Sequence, residues 1–439
     1  MIRFIHAADL HIDSPLRGLG RYVGAPVERL RNATRRALVL LVDLALREQV
    51  QFVLLAGDLY DGDWPDFHTG LFFREQMVRL VRAGIGVYIV QGNHDAQSQI
   101  SKQLPLPEGV RVFSSRTSET AELRDIGVAI HGRSFPERAV NEDLVPAYPE
   151  PVAGAFNIGV LHTSLTGAPG HDNYAPTSVP VLRARGYDYW ALGHVHARQV
   201  VQAAAPRIVF PGNLQGRHAN ETGPKGCELV TVRQGVVDAV FVPLDVVRWH
   251  QLSVPLDGVD QLAVAAQRIA QALAGAIADD AADAAGGDRL HAVRVHLTGQ
   301  TALHAEEARQ PGTLAAMVQA AAQDVPGAEV WIEQVRLAVS SPVDRTRLAA
   351  GQDAVSELVR LVDELAGDPA LLADWSARTL GDVLHKLPAE VIAGGPHALT
   401  QAATQGTPGH DLPQLNDPAA LRHLLMEAEA TLLARLGTA

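Results

Sequence analysis

The sequence predicts an α/β protein: two stacked mixed sheets flanked by helices, then a small α+β domain and a helical C-terminal region. Two observations predict this. Strand-like and helix-like segments alternate through the first 245 residues, the pattern of a layered sheet-and-helix domain. Beyond residue 246 a short βαβαβ pattern follows, and past Ser340 the periodicity is helical and rich in alanine.

Taken in order, "IRFIHAA" (2–8) reads as a strand. The segment 26–49 places Leu30, Ala37, Leu38, Leu41, Val42 and Ala45 at helical spacing behind Pro26. "QFVLLAG" is a strand, "FHTGLFFREQMVRLVRA" a helix and "GVYIVQG" a strand. Short strands are expected near 110–113, 127–131, 156–161, 187–192, 207–210, 227–232 and 236–242. The second region reads as strand 247–254, helix 260–277, strand 289–299, helix 313–323 and strand 328–339. The last helix starts at Asp417 as N-cap with Pro418 in the first turn, and carries Leu421, Leu424, Leu425, Ala428, Leu432 and Leu436. Three domains are expected on this pattern: 1–245, 246–340 and a helical region at 341–439.

Hydrophobic residues make up 47% of the chain and charged residues 20%, which excludes a disordered or fibrous protein. A single cysteine, Cys227, excludes a disulfide framework within the chain and fits a reducing compartment. The longest apolar run, "ALVLLVDLAL" (37–46), is about half of the roughly 20 residues a membrane span requires. The first residues lack the apolar core of a signal peptide, so a cytoplasmic location without membrane attachment is expected. The net charge of −12 argues against a nucleic-acid binder until it is divided. Residues 1–245 hold 24 Lys+Arg against 25 Asp+Glu, while 246–439 hold 13 against 24, so the acidity sits in the second region.

Five short motifs each follow an expected strand: "ADLHID" (8–13), "GDLYD" (57–61), "GNHD" (92–95), "LHTS" (161–164) and "GHVH" (193–196). In α/β sheets, residues just past the carboxyl ends of strands line the ligand crevice. Asp9, His11, Asp58, Asn93, His94, His162, His194 and His196 can therefore meet in one place. Carboxylate, amide and imidazole groups together suit Mn²⁺, Fe²⁺ or Zn²⁺. Singly, each motif has a plainer reading. A strand-end Asp is commonly a helix cap, and two histidines at i and i+2 share a sheet face that can simply be polar. The five together favour metal.

The motif set Asp-x-His, Gly-Asp-x-x-Asp, Gly-Asn-His-Asp, a strand-end His and Gly-His-x-His resembles the calcineurin-like metallophosphoesterases over residues 1–245. A narrower resemblance, to the SbcD-type DNA repair exonucleases and their YhaO-like branch, rests on four segments. These are "DLHIDSPLRGL" (9–19), "GHDNYAPTS" (170–178), "GYDYWALGHVH" (186–196) and "PGNLQGRHANETGPKG" (211–226). The resemblance implies two adjacent divalent ions, Mn²⁺ foremost. Asp9, His11 and His196 would hold one, Asn93, His162 and His194 the other, and Asp58 would bridge them. Such ions sit about 3.5–4 Å apart, and the hydroxide between them attacks phosphorus in line. His94 is cast as general acid or transition-state stabiliser. Asp61 either orients His94 or stabilises its own turn.

The resemblance implies a metal-dependent hydrolase acting as a DNA exonuclease or endonuclease in end processing, with the second domain capping or selecting substrate. It also implies DNA and an SbcC-like, SMC-type coiled-coil ATPase as partners, and a homodimer. The C-terminal leucines either dock that ATPase or pack on the protein's own core. Arg17, His171, Tyr174, Arg217 and His218 are candidate substrate contacts, and Lys225 a further phosphate candidate. For 211–226 the plain alternative is a hairpin between strands 207–210 and 227–232. His6, His68 and His131 read as structural. Two other functions remain open: a small-molecule metallophosphatase or cyclic-nucleotide phosphodiesterase, and a scaffold that does no chemistry.

Overall fold

Alternating side chains on nearly unbroken apolar strands put one set of residues on each face, and strands of this kind are covered on both faces. Strand β1 (Ile2–Ala7) sends Phe4 to one side and Ile5 and Ala7 to the other; β2 (Phe52–Ala56) sends Phe52, Leu54 and Ala56 one way and Val53 and Leu55 the other. The computed structural model describes residues 1–14, 24–61, 67–97, 104–165, 174–278, 289–384, 386 and 417–436. Within them lie two compact units, one built on residues 1–14, 26–250 and 289–292 and the other on 24–25, 251–278 and 293 onward.

The first unit contains two six-stranded sheets among the described residues. Beside β1 and β2 the first sheet holds β3 (Gly86–Val90), β4 (Val110–Val112), β11 (Gly226–Arg233) and β12 (Val236–Pro243), in the order β12-β11-β1-β2-β3-β4. The second holds β5 (Glu119–Leu123), β6 (Val128–Gly132), β7 (Phe156–His162), β8 (Tyr189–Gly193), β9 (Gln199–Gln202) and β10 (Arg207–Phe210), in the order β5-β6-β7-β8-β10-β9. Strands β1 to β4 run parallel, as do β6, β7, β8 and β10; β11, β12, β5 and β9 are antiparallel neighbours.

The sheets stack on a shared core of Phe4, Phe52, Leu54, Ile130, Ile158, Tyr189 and Val230. Phe4 stacks on Phe52 within its sheet at 4.9 Å between centroids and meets Tyr189 of the other sheet edge-on at 5.4 Å. Helices α1 (Val27–Arg47) and α2 (Phe67–Arg82) cover the outside of the first sheet through Leu38, Leu41, Val42, Phe73, Met77 and Leu80. The exposed face of α1 carries Arg31 and Arg36. Outside the second sheet, Tyr148, Trp190, Phe210 and Leu182 of helix α3 (Val179–Ala184) form a further core. Two stacked mixed sheets with helices outside are the layered arrangement that the sequence predicts.

Two strands escape the sequence reading: β5 and β9 are short edge strands with little alternation to read. The hairpin alternative for 211–226 is overturned, because β10 pairs with β8 and β9 while β11 pairs with β1 and β12. The segment crosses from one sheet to the other, its backbone bridging Ala8 through Asn213.

Beyond this unit, β13 (Val247–Pro255), β14 (Leu290–Gln300) and β15 (Glu329–Ser340) form a three-stranded sheet packed on α4 (Leu262–Ala278) and α6 (Thr313–Gln323). A short helix, α5 (Leu303–Arg309), precedes α6 and is absent from the sequence reading. The C-terminal region follows with α7 (Arg345–Ala349), α8 (Ala354–Gly367), α9 (Pro369–Leu384) and α10 (Pro418–Arg435). Asp417 caps α10, accepting from Ala419 N and Ala420 N. Leu421 and Leu425 are buried with Val362 and Leu372, whereas Leu432 and Leu436 are exposed. No described helix is long and apolar enough to cross a membrane.

Candidate metal centre

The five motifs sit where parallel strands of the two facing sheets end. Asp9 follows β1, Asp58 follows β2, Asn93 follows β3, His162 closes β7 and His194 follows β8. Backbone bonds tie these ends together: Asp9 N donates to Gly57 O, His11 N to Asp58 O and Thr163 N to Gly193 O. The turns are tight enough to force left-handed backbone at Asp9 (φ 51°), His11 (43°), Asp58 (50°) and His194 (104°). Such conformations cost about 1–3 kcal/mol each away from glycine and persist only where surroundings hold them. The Asp9 carboxylate supplies one such hold, accepting the His194 N–H at 3.0 Å. Two glycines make the approach feasible. A Cβ on Gly57, itself at φ 96°, would overlap the His162 ring, and one on Gly193 would overlap Ala56 O.

The side chains gather into three groups, each with ligand atoms within 4.8 Å: Asp9, His11 and His196; Asp58, His162 and His194; and His11, Asp61 and His94, which shares His11 with the first. Asn93 joins the second through Oδ1, 2.9 Å from His162 Nε2. His194 and His196 thus leave one strand end and enter different groups. Asp9, His11, Asp58, Asn93, His162 and His194 are buried, while His94 and Asp61 keep 32% and 22% of their side chains exposed.

The donor set fits divalent cations. His162 Nδ1 lies 3.0 Å from Ala56 O, and only an N–H satisfies a carbonyl, so Nε2 carries the lone pair. That nitrogen faces Asn93 Oδ1 and Asp58 Oδ2, the latter at 3.5 Å. Burial depresses the His162 pKa, which opposes filling the gap with a proton. Three potential ligand atoms, His162 Nε2, Asn93 Oδ1 and Asp58 Oδ2, therefore converge. On the other side, His196 Nδ1 lies 2.7 Å from the Glu221 carboxylate, which leaves its Nε2 lone pair 3.1 Å from His11 Nε2. His11 Nδ1 is buried without a hydrogen-bond partner, and burial, reinforced by Arg217, pushes the His11 pKa down to about 3. The carboxylates also strain against each other. Burial and the charge of Asp58 hold the Asp9 carboxyl well above its usual range. Burial acts in the same sense on Asp58, but the imidazoles of His162, His11 and His94 outweigh it and bring that carboxyl down to about 2.

Asp61 Oδ1 approaches His94 Nδ1 at 2.9 Å, while Ser14 Oγ donates to Asp61 Oδ2 at 2.7 Å. The His94 backbone N–H donates to Asp58 Oδ1 at 3.0 Å. Burial disfavours the His94 imidazolium, yet the Asp61 hydrogen bond and the Asp58 charge outweigh it and raise its pKa.

Of the substrate candidates, Arg17 and His171 lie outside the described residues. Tyr174 is half-buried, its ring edge-on to His194 at 5.7 Å. Arg217 is turned inward, bonding Glu221 Oε1 at 3.0 Å with Nη1 3.7 Å from Asp61 Oδ2. His218 is more than half exposed. Lys225 is buried with Nζ on His196 O, so it holds the site's backbone rather than a phosphate. His6 and His131 are structural: His6 bonds Tyr189 and Leu192 O, and His131 bonds Thr120 and Asn157.

Two functional residues escape the sequence reading. Asp95 closes "GNHD" and is buried, accepting from Leu59 N, Tyr60 N and Gly92 N. It clamps the Asp58 turn to the Asn93 turn. Burial and the nearby Asp58 charge raise its carboxyl to about 7. Glu221, in the crossing segment, accepts from His196, Arg217 and Asn213. Its presence beside charged residues in 211–226 is the only sequence signal.

Residues 2–198 match the family model described as calcineurin-like phosphoesterase, a family that uses dinuclear metal sites. Residues 249–340 match the model of the metallophosphoesterase YhaO middle domain. A curated relative, the "uncharacterized metallophosphoesterase YhaO" of Bacillus subtilis (strain 168), is 40% identical over 256 residues, which are 58% of this chain and 63% of the relative. The match therefore spans less than two thirds of that relative's length. Among solved structures, a dimetal phosphatase from Danio rerio aligns over 53% of this chain and 93% of its own at 13% identity. "GAP50 the anchor in the inner membrane complex of Plasmodium" aligns over 55% and 84% at 11%. Both have a TM-score of 0.32, too slight a likeness to bear on the assignment.

Proposed function

We propose that the chain is a phosphodiesterase using two divalent cations, Mn²⁺ foremost, and that it acts as a nuclease on DNA ends. The observation that carries the hydrolytic reading is the pair of groups Asp9–His11–His196 and Asp58–His162–His194, presented by facing strand ends. The DNA reading is finer and rests on the likeness of "GHDNYAPTS" and "PGNLQGRHANETGPKG" to the SbcD type.

Asp9, His11 and His196 would hold one ion, Asn93, His162 and His194 the other, and Asp58 both. When bound, such ions lower the pKa of water and neutralise charge building on phosphorus. The protein's own groups do the rest. Buried walls exclude bulk water. Asp61 orients His94 through Nδ1, leaving Nε2 to give a proton to the departing oxygen. The acidic region 246–439, with Leu432 and Leu436 exposed, is the proposed docking surface for an SMC-type ATPase; assembly as a homodimer belongs to the same reading.

The test is cleavage of blunt, 3′-recessed, 5′-recessed and hairpin DNA in Mn²⁺, beside small aryl phosphodiesters, with Asp58→Asn as control. Cleavage of the DNA substrates that is lost in the control is expected. Cleavage of aryl phosphodiesters with all DNA intact overturns the DNA reading in favour of a small-molecule enzyme. Absence of metal uptake overturns the hydrolytic reading itself.

A further inference from the structure

His162 and His196 are oriented by different kinds of partner. His162 leans on a backbone carbonyl, Ala56 O, at 3.0 Å. His196 leans on a side-chain carboxylate, Glu221 Oε1, at 2.7 Å. Glu221 is buried, and three other groups of the 211–225 crossing segment converge on it. Arg217 donates through its backbone N–H at 2.7 Å and its guanidinium at 3.0 Å, and Asn213 Nδ2 donates at 2.9 Å. Lys225 pins the backbone of His196 from the same segment.

We propose that Glu221 is a positioning residue for the His196 side of the centre, holding that ring with its Nε2 lone pair toward Asp9 and His11, and that Arg217 ties the same carboxylate to Asp61. This rests on the dinuclear reading above and deepens it: the two ion sites are unequal, and one depends on the segment that joins the two sheets. A carboxylate behind a ligating imidazole fixes its tautomer and raises its basicity, and loss of such a partner typically weakens metal binding about 10- to 100-fold. His162 itself is held by the backbone carbonyl of Ala56 and not by a side chain of this segment. Arg217 shields the Glu221 charge on one side and lies 3.7 Å from Asp61 on the other, so the clamp reaches the residue that orients His94.

The experiment is Mn²⁺ titration of the full chain, followed by calorimetry and by the electron paramagnetic resonance of bound and free ion. Wild type, Glu221→Gln and Glu221→Ala are compared, with melting in chelator as a check on folding. The Gln amide oxygen can still accept from His196 Nδ1 and keep the tautomer, while its amide nitrogen faces the Arg217 and Asn213 donors, so this variant loses the charge and the hydrogen bonds accepted at Oε2. The expected result is two ions on wild type and weakening of one ion by about 10- to 100-fold in Glu221→Ala. In Glu221→Gln the same ion weakens less, and the other ion is unchanged in both. Equal binding of both ions in folded variants and wild type overturns the proposal, as does equal weakening of both. If wild type itself takes up no metal, the dinuclear reading fails first and is seen to fail separately.

Discussion

Asp61 Oδ1 stands 2.9 Å from His94 Nδ1, at the more open edge of a site in which Asp9, His11, Asp58, Asn93, His162 and His194 are buried. The pair couples a group able to release a proton to a carboxylate that keeps it protonated. His94→Gln is expected to lower kcat by about 10²- to 10⁴-fold while metal content, read by elemental analysis, stays that of wild type. Asp61→Asn removes the carboxylate charge that helps to raise the His94 pKa, so the alkaline limb of the kcat profile should move to lower pH. An unmoved limb would detach Asp61 from proton transfer.

Asp58 touches both halves of the centre: His162 Nε2 lies 3.5 Å from its Oδ2 and His11 Nε2 3.9 Å. Asp58→Asn is therefore expected to weaken both ions together, and metal stoichiometry by equilibrium dialysis checks it. Loss of a single ion would assign this carboxylate to one side only.

His6 offers a pH dependence outside the site. It is fully buried, and burial lowers its pKa to about 3, the bond to Leu192 O offsetting only part of this. In the unfolded chain it titrates at 6.5. The unfolded chain thus takes up a proton below pH 6.5 that the folded chain refuses. His6 favours folding fully above 6.5, and that contribution is lost as pH falls toward 3. At pH 5 the loss is about 2 kcal/mol. Urea denaturation in chelator between pH 8 and pH 4 should show a shallower decline for His6→Gln; parallel curves would refute the shift.

Gly193 has no room for a side chain, since a Cβ would fall on Ala56 O. Gly193→Ala must part β8 from β2, and is expected to cost about 3 kcal/mol of stability together with weaker binding of metal. Thermal melting and metal uptake read the two effects. A stable variant with normal uptake would show that the strand ends yield more readily than their packing implies.

The motif residues were legible because each follows a strand whose apolar run marks it, so that position in the chain translates directly into position at the sheet edge. Asp95 lay inside a quoted motif without a role, since its partners are backbone N–H groups of Leu59 and Tyr60, 35 to 36 residues away. Glu221 was illegible for a similar reason: its work depends on a crossing between sheets, and local turn chemistry there reads equally well as a hairpin. β5 and β9 were missed because edge strands of five and four residues carry too little pattern. The inward turn of Arg217 and Lys225 could not be read either, because a cation beside glycines looks the same whether it faces a ligand or a buried glutamate.

The contrast between Ala56 O and Glu221 has a genetic side. Every amino acid at position 56 brings a carbonyl, so the support behind His162 survives any substitution that leaves the strand in place. The support behind His196 is spelled by one codon. Mutation can loosen or tighten the hold on His196 in a single step and has no such handle on the carbonyl behind His162, so divergence in metal preference among descendants of this sequence should be written early at position 221.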